Sequence, residues 1–173
     1  NAGMRTVVDR RAADSRHVLD HLPVLLESIP AATGIRSDRV AAVGLSLGGA
    51  VSTELSKVDD RCAAVVNLDG GLYGPHTDRP VTRPYLMLYS ELNEGGNDLA
   101  RQAATAEFAE VTVPGAKHLD FHDATAVLPI LRRIGRLGRV RPAAVIAVRN
   151  TTVRRFLDRI LRPAAAGHPP RAR

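Results

Sequence analysis

Apolar residues along this chain fall into short uninterrupted runs, which alternate with longer segments in which apolar residues recur at helical spacing. The uninterrupted runs predict buried strands, and the helical spacing predicts amphipathic helices. The predicted strands are RVAAVGL (39–45), CAAVVNLD (62–69), RPYLMLYSE (83–91) and EVTVPG (110–115). The predicted helices cover 12–29, 48–58, 99–109 and 143–161, with an apolar, basic stretch at 126–138 expected to form a helix or a lid.

This alternation defines the expected fold class. Strands that are apolar throughout are buried on both faces, which is typical of a parallel sheet covered by helices on either side. We therefore expect an α/β protein, a three-layer α/β/α sandwich with a mostly parallel sheet. The 173 residues suffice for one domain with a sizeable core. We expect residues 1–162 to form this folded unit, and 163–173, with Pro, Gly and Arg, to be a disordered basic tail.

Charge is unevenly distributed along the chain. The net charge is +6, and residues 132–173 contain twelve arginines and a single acidic residue, Asp158. A basic end of this kind is compatible with a nucleic acid or an anionic membrane as partner. Aromatic residues, on which bases stack, make up only 3% of the chain, so we expect no nucleic acid partner. The arginines are interpreted as a solvated face and a loose tail.

Composition also disfavours several other classes of protein. No apolar run approaches the roughly 20 residues that cross a bilayer, so we expect no transmembrane segment. Cys62 is the only cysteine, which excludes an internal disulfide framework and a cysteine-based metal site. No spacing of His, Asp and Glu indicates a metal site, and we expect no metal or cofactor. Without a signal-peptide pattern, we expect a soluble protein, secreted or cytoplasmic.

The segment VAAVGLSLGGAVSTEL (40–55) contains the first candidate for chemistry. Gly44-Leu45-Ser46-Leu47-Gly48 fits G-x-S-x-G between a strand and a helix, the context of a nucleophile elbow. Glycines let strand and helix approach closely, and the helix N-terminus directs N–H groups at the site. We predict that Ser46 is a nucleophile and that the N–H of Leu47 is an oxyanion donor. The alternative is a tight turn without chemistry.

A serine nucleophile needs a base, and the base needs an acid that orients it. Asp69 ends the next predicted strand, and His118 follows the last one, which gives the order Ser, acid, His at strand ends. We predict Asp69 as the acid and His118 as the base. Glu91 is the alternative acid, while Asn93 stands where many hydrolases of this kind place an acid and cannot ionise.

The remaining histidines are weighed against His118. His122 lies four residues further on and is the alternative base. The others are interpreted as surface or structural residues: His17, His21, His76 and His168.

With these residues in order, the sequence resembles the α/β-hydrolase superfamily. More narrowly it is similar to platelet-activating-factor acetylhydrolases of the plasma and intracellular type II group and their bacterial relatives. The similarity is carried by VVNLDGGLYG, by KHLDFHD, which resembles that family's His-x-Asn/Asp-Phe-x-Asp, and by LGRVRPAAVIAVRNTTVRRFLDRIL. It covers about residues 11–161, the C-terminal part of that fold. The early strands, and the loop that donates a second oxyanion N–H, have no counterpart, so the chain is expected to be N-terminally incomplete.

The resemblance implies cofactor-independent hydrolysis of a short-chain or phospholipid carboxylic ester through a Ser46–His118–Asp69 triad and an acyl-enzyme. A small-molecule ester or a phospholipid is then the expected partner, and 127–139 is a candidate for contact with a lipid surface. The rival hypotheses are a generic or polyester-type esterase with the same triad, and a non-catalytic fragment or Arg-rich binding protein.

Overall fold

The protein contains a parallel β-sheet of four strands. The computed structural model describes residues 2–73, 79–93, 98–123 and 130–162. The strands lie side by side in chain order, and every neighbouring pair is parallel: β1 (Val40–Leu45), β2 (Cys62–Leu68), β3 (Tyr85–Ser90) and β4 (Phe108–Val113). Residues of β2 and β3 are almost all buried, as the uninterrupted apolar runs predict.

Helices connect and cover these strands. They are α1 (Ala2–Glu27), α2 (Leu47–Val58), α3 (Asp98–Ala103), α4 (Ile130–Arg133) and α5 (Pro142–Leu161). Short 3-10 turns occupy Pro30–Ala32, Glu91–Asn93 and His118–Phe121. None of the helices in the described ranges is both long and apolar enough to cross a lipid bilayer.

The helices lie on both faces of the sheet, which confirms the expected three-layer α/β architecture. On one face Val66, Leu86 and Leu88 pack with Val145 and Phe156 of α5. On the other face the side chains of β2 and β3 pack with α3, and those of β1 pack with α1 and α2. The core is therefore divided by the sheet into two apolar layers.

Some element boundaries differ from the sequence prediction. The first helix begins at Ala2 and ends at Glu27, rather than covering 12–29. The predicted helix 99–109 is wrong in its second half, because α3 ends at Ala103 and β4 begins at Phe108. Phe108 pairs with Tyr85 of β3, and the two rings meet edge to face at 5.4 Å. Strand pairing and ring packing thus outweigh the helical propensity of this Ala-rich stretch.

Two predictions fall wholly or partly outside the described residues. The tail at 163–173 lies outside them, and so do residues 124–129 of the predicted helix or lid. Of that second segment, Ile130–Arg133 forms one short helix.

An ion-pair cluster fastens α1 to the end of α2. Asp59, only 6% exposed, accepts hydrogen bonds from Arg61 Nε at 2.9 Å and Arg61 Nη2 at 2.5 Å. Arg61 also contacts Asp20 of α1 at 2.7 Å. Hydrogen bonding by Arg61 holds the pKa of Asp59 below its ordinary value.

Parallel pairing brings the carboxyl ends of all four strands to one edge of the sheet. Ser46 directly follows β1 and Asp69 directly follows β2, and the residues before them, Leu45 and Leu68, are partners in the ladder. His118 lies in the turn after β4. The edge of an open α/β sheet at which the strands end is where such proteins bind ligands.

Candidate active site

Ser46 occupies a sharp, strained junction between β1 and α2. Its backbone has φ 57° and ψ −121°, in the positive-φ region that a side chain other than glycine rarely adopts. Its N–H donates to the carbonyl of Leu68 at 2.9 Å, and its own carbonyl accepts the N–H of Gly49 at 2.9 Å. Strain of this kind costs about 1–3 kcal/mol and persists only where the surrounding structure enforces it.

Close packing of strand against helix enforces this junction. A Cβ added at Gly44 would lie 2.0 Å from the carbonyl oxygen of Gly48, which no real structure tolerates. A Cβ at Gly49 would lie 2.1 Å from Oδ1 of Asn67. At Gly48 a Cβ would meet nothing within 4 Å. Gly44 and Gly49 are therefore the sterically required glycines, while the second glycine of the sequence motif is not one.

The start of α2 provides hydrogen-bond donors next to Ser46. Leu47 is the first residue of α2, and the first N–H groups of a helix have no intrahelical acceptor. The helix dipole adds a partial positive charge at the same end. The N–H of Leu47 therefore lies next to Ser46 and has no acceptor within α2.

Asp69 lies at the end of the adjacent strand and is almost completely buried, with 3% of its surface exposed. It also has a positive φ, of 55°, and is the only described non-glycine residue besides Ser46 to do so. Its Oδ1 accepts the N–H of Ser90 at 2.6 Å, and its Oδ2 accepts the Ser90 hydroxyl at 2.9 Å. Asn93 Nδ2 donates to the same Oδ2 at 2.8 Å. These three donors fix the orientation of the carboxylate.

His118 completes a pair with this carboxylate. Its Nδ1 lies 2.7 Å from Oδ2 of Asp69, while about 40% of its side chain is exposed. With Asp69 as an acceptor, Nδ1 carries a proton, which leaves Nε2 of the neutral ring as the proton acceptor. The structure thus brings together the predicted acid and base, at the strand edge that also carries Ser46.

A buried polar network lies behind the turn that carries Asp69. Asn67 accepts the N–H of Gly70 at 2.8 Å and donates to the carbonyl of Gly70 and the hydroxyl of Tyr85, both at 3.1 Å. The Tyr85 hydroxyl also contacts Thr53 of α2 at 3.0 Å. Burial raises the pKa of Tyr85, so its hydroxyl remains a neutral partner. The network ties the Asp69 turn to α2, which begins next to Ser46.

The alternative candidates lie elsewhere. Glu91 is exposed in the turn after β3, and Asp69 rather than Glu91 holds the His118 ring. His122 lines a groove of about 660 Å³ between β1 and α5. The rings of His17 and His21 contact each other on α1 in a tilted arrangement, at a centroid distance of 4.3 Å.

Two of the histidines interpreted as structural cannot be placed, because His76 and His168 lie outside the described ranges. Within those ranges, no group of three or more His, Cys, Asp or Glu side chains is arranged to hold a metal ion.

Sequence reasoning missed the residues that support this pair. Ser90 and Asn93 act on Asp69 through contacts between separate strand ends, which no local pattern reveals. Asn67 had a detectable signal, since it is the one amide in the apolar run CAAVVNL. A polar side chain inside a strand buried on both faces requires partners, and this one finds them.

Comparison with known proteins finds solved structures of similar fold, but no matching protein family and no matching curated sequence. No protein-family model matches this sequence, and no curated protein matches it either. A ferulic acid esterase from Streptomyces cinnamoneus superposes with a TM-score of 0.74 at 27% identity, over 93% of this chain and 53% of the esterase. A dienelactone hydrolase-like promiscuous phosphotriesterase from metagenomic libraries gives 0.53 at 20% identity, over 91% and 68% of the two chains. The AtxE2 isopeptidase gives 0.51 at 16% identity, over 92% and 28%.

These neighbours define the class of the fold. The four-stranded parallel sheet with its flanking helices is part of an α/β-hydrolase fold, and the neighbours include esterases and other hydrolases. The chain spans about half the length of the ferulic acid esterase. None of these three neighbours is a platelet-activating-factor acetylhydrolase, so they support the superfamily and not the narrower resemblance.

Proposed function

We propose that this chain carries the nucleophile, acid and base of a serine hydrolase that cleaves carboxylic esters of small molecules. The observation that carries the proposal is the 2.7 Å hydrogen bond between His118 Nδ1 and buried Asp69, at the strand edge that presents strained Ser46. A serine on an elbow and an Asp-oriented imidazole together constitute the acyl-transfer apparatus.

The proposed reaction proceeds through an acyl-enzyme. His118 Nε2 removes the hydroxyl proton of Ser46 as Oγ forms a bond to the ester carbonyl carbon. The N–H of Leu47 stabilises the oxyanion. His118 then donates the proton to the leaving alcohol as the ester C–O bond breaks. Water attacks the acyl-enzyme with His118 again as base, releasing the acid and restoring Ser46. Asp69 keeps the imidazole in the required tautomer throughout and stabilises its charged form.

The ferulic acid esterase neighbour favours a generic esterase, for which p-nitrophenyl acetate is a simple test substrate. The narrower candidate is an acetylated phospholipid, and it is favoured only by the resemblance of VVNLDGGLYG, KHLDFHD and the 137–161 segment to the acetylhydrolase family. Hydrolysis rates on p-nitrophenyl acetate and on an acetylated phospholipid, measured on the same preparation, separate these substrate classes.

Covalent labelling by a fluorophosphonate probe tests the proposal directly. Labelling of the 173-residue chain that disappears in Ser46→Ala is the expected result, because the probe reacts with activated serines. Ser52→Ala is the matched control, since Ser52 lies buried in α2, and it should label like the parent. Absence of labelling in a folded parent chain contradicts the proposal. Salt-dependent binding of nucleic acid by that unlabelled chain would favour the Arg-rich binding protein instead.

A further inference from the structure

A second aspartate lies two residues after His118 and has no part in the proposed reaction. Asp120 is completely buried, at 0% exposure. Its Oδ2 accepts two backbone hydrogen bonds, from the N–H of Lys117 at 2.8 Å and from the N–H of Gly138 at 2.6 Å. Its Oδ1 is also buried and has no hydrogen-bond partner within the described part of the chain.

These two hydrogen bonds join the His118 turn to the segment that precedes α5. The contact is reinforced by Arg139, whose N–H donates to the carbonyl of Gly115 at 2.9 Å. Lys117 Nζ donates to the carbonyl of Gly135 at 2.8 Å. At Gly138 an added Cβ would lie 1.9 Å from the Gly115 oxygen and 2.9 Å from Oδ2 of Asp120. The two segments are thus in close backbone contact, with the Asp120 carboxylate between them.

A buried carboxylate is costly to a fold unless its hydrogen bonds compensate for the loss of water. An apolar side chain would fill the same space at lower cost, but it would leave the N–H groups of Lys117 and Gly138 without an acceptor. The Lys117 N–H belongs to the residue immediately before His118. The Asp120 carboxylate therefore fixes the backbone next to His118, the proposed base.

A fixed backbone matters because the side chain of His118 is only partly enclosed. With about 40% of that side chain exposed, packing alone does not hold the ring against Asp69. We propose that Asp120 is a positioning residue, whose carboxylate holds the Lys117–His118 backbone so that the imidazole of His118 stays on Asp69. The effect of Asp120 on catalysis rests on the proposed function. The hydrogen bonds of Asp120 that hold this backbone do not depend on that function.

Kinetics of four variants test the inference. Asp120→Ala removes the acceptor and should lower kcat about 100-fold with KM within about threefold, because a small displacement of a catalytic group costs about that much. Asp120→Asn retains an oxygen that accepts both N–H groups and should restore kcat to within about tenfold of the parent.

Asp123→Ala removes an exposed carboxylate of the same loop and is the matched control, with unchanged kcat. Asp120→Leu fills the same space without an acceptor and should lower kcat at least about tenfold.

Nitrogen-15 NMR of the His118 ring supplies a readout that does not depend on turnover. The ring nitrogen shifts report the tautomer, and Asp69 stabilises the Nδ1–H form. Asp120→Ala should reduce the fraction of that form, while Asp120→Asn and Asp123→Ala should retain it. If the parent chain hydrolyses no ester, the proposed function fails, and the NMR comparison still decides the positioning role.

Folding of each variant is checked by circular dichroism. A folded Asp120→Ala variant with parental kcat and parental ring shifts overturns the inference. Should that variant not fold, Asp120→Leu decides the question, because leucine fills the same space but accepts neither N–H. A folded Asp120→Leu chain with parental kcat and ring shifts would then be the overturning result.

Discussion

Gly44 of β1 faces the carbonyl oxygen of Gly48 so closely that a Cβ on Gly44 would approach it to 2.0 Å. The two glycines of the sequence motif are therefore not equivalent, since the first is required by contact and the second is not. Gly44→Ala should lower the free energy of unfolding by at least about 3 kcal/mol, or prevent folding, because neither backbone segment has room to move. Gly48→Ala should change it by less than about 1 kcal/mol.

Urea unfolding followed by circular dichroism measures this contrast. The two substitutions add the same methyl group four residues apart, so each serves as the control for the other. Equal effects of the two variants on stability would contradict the packing described at the elbow.

The Asp69–His118 pair predicts which carboxylate supports turnover. Asp69→Asn should lower kcat by about 10⁴-fold, because an amide at this position favours the wrong tautomer of the imidazole. Glu91→Gln should leave kcat within about twofold, since Glu91 is exposed and does not hold the ring. Steady-state ester hydrolysis by both variants is the measurement. Retained activity in Asp69→Asn together with loss in Glu91→Gln would reverse the assignment.

The network around Asn67 predicts that Tyr85→Phe and Asn67→Leu lower the free energy of unfolding by different amounts. Tyr85→Phe removes one hydroxyl, but Asn67 still contacts Gly70 and Thr53 still contacts the carbonyl of Gly49. It should therefore cost about 1 kcal/mol of stability. Asn67→Leu leaves the buried N–H of Gly70 without an acceptor and should cost about 3 kcal/mol.

The same pair of variants also separates stability from positioning. Because Gly70 adjoins Asp69, the Asn67 variant should lose ester turnover at temperatures where it is still folded. The Tyr85 variant should retain its turnover there. Parental kcat in a folded Asn67→Leu chain would show that the network contributes to stability alone.

The ion pairs at Asp59 predict how stability depends on pH. The folded-state pKa of Asp59 is lowered by Arg61, so its contribution is fully present above the unfolded-state value of about 4. That contribution is lost as pH falls through the lowered folded-state pKa. Asp59→Asn should therefore be less stable than the parent at pH 7, and the difference should shrink below about pH 3.

Urea unfolding at a series of pH values measures this difference. Asp60→Asn is the matched control, because Asp60 is fully solvent-exposed, although it too contacts an arginine, Arg83, at 2.6 Å. Its stability should differ little from the parent at any pH. A difference for Asp59→Asn that stays constant from pH 7 to pH 2 would contradict the stated pKa direction.

Much of the fold was predictable because its signal is local. The runs at β1, β2 and β3 are apolar apart from Asn67 and Ser90, and a parallel sheet follows from their alternation with helices. The start of β4 was not predictable, since the stretch around Phe108 is helix-prone, and only its pairing with Tyr85 makes it a strand. Tertiary contact decides such boundaries, and a single sequence does not display it.

The candidate site likewise has residues that the sequence predicts and residues whose role it does not predict. Ser46, Asp69 and His118 stand out because the chemistry needs those residue types after consecutive strands. The groups that hold them, such as Ser90, Asn93 and Asp120, act through distances between separate loops. The sequence marks Asn93 as a residue at an acid position and Asp120 as part of KHLDFHD, but it does not show that either residue holds the pair.

The backbone strain at Ser46 places fold stability and chemistry in opposition at a single position. Glycine adopts a φ of 57° without penalty, so Ser46→Gly should unfold at a higher urea concentration than the parent while losing all turnover. Without selection for activity, substitutions that replace this serine and stabilise the fold would accumulate, and the protein would become more stable and inactive. A serine kept at this position in an independent lineage is therefore a mark of continuing selection for catalysis.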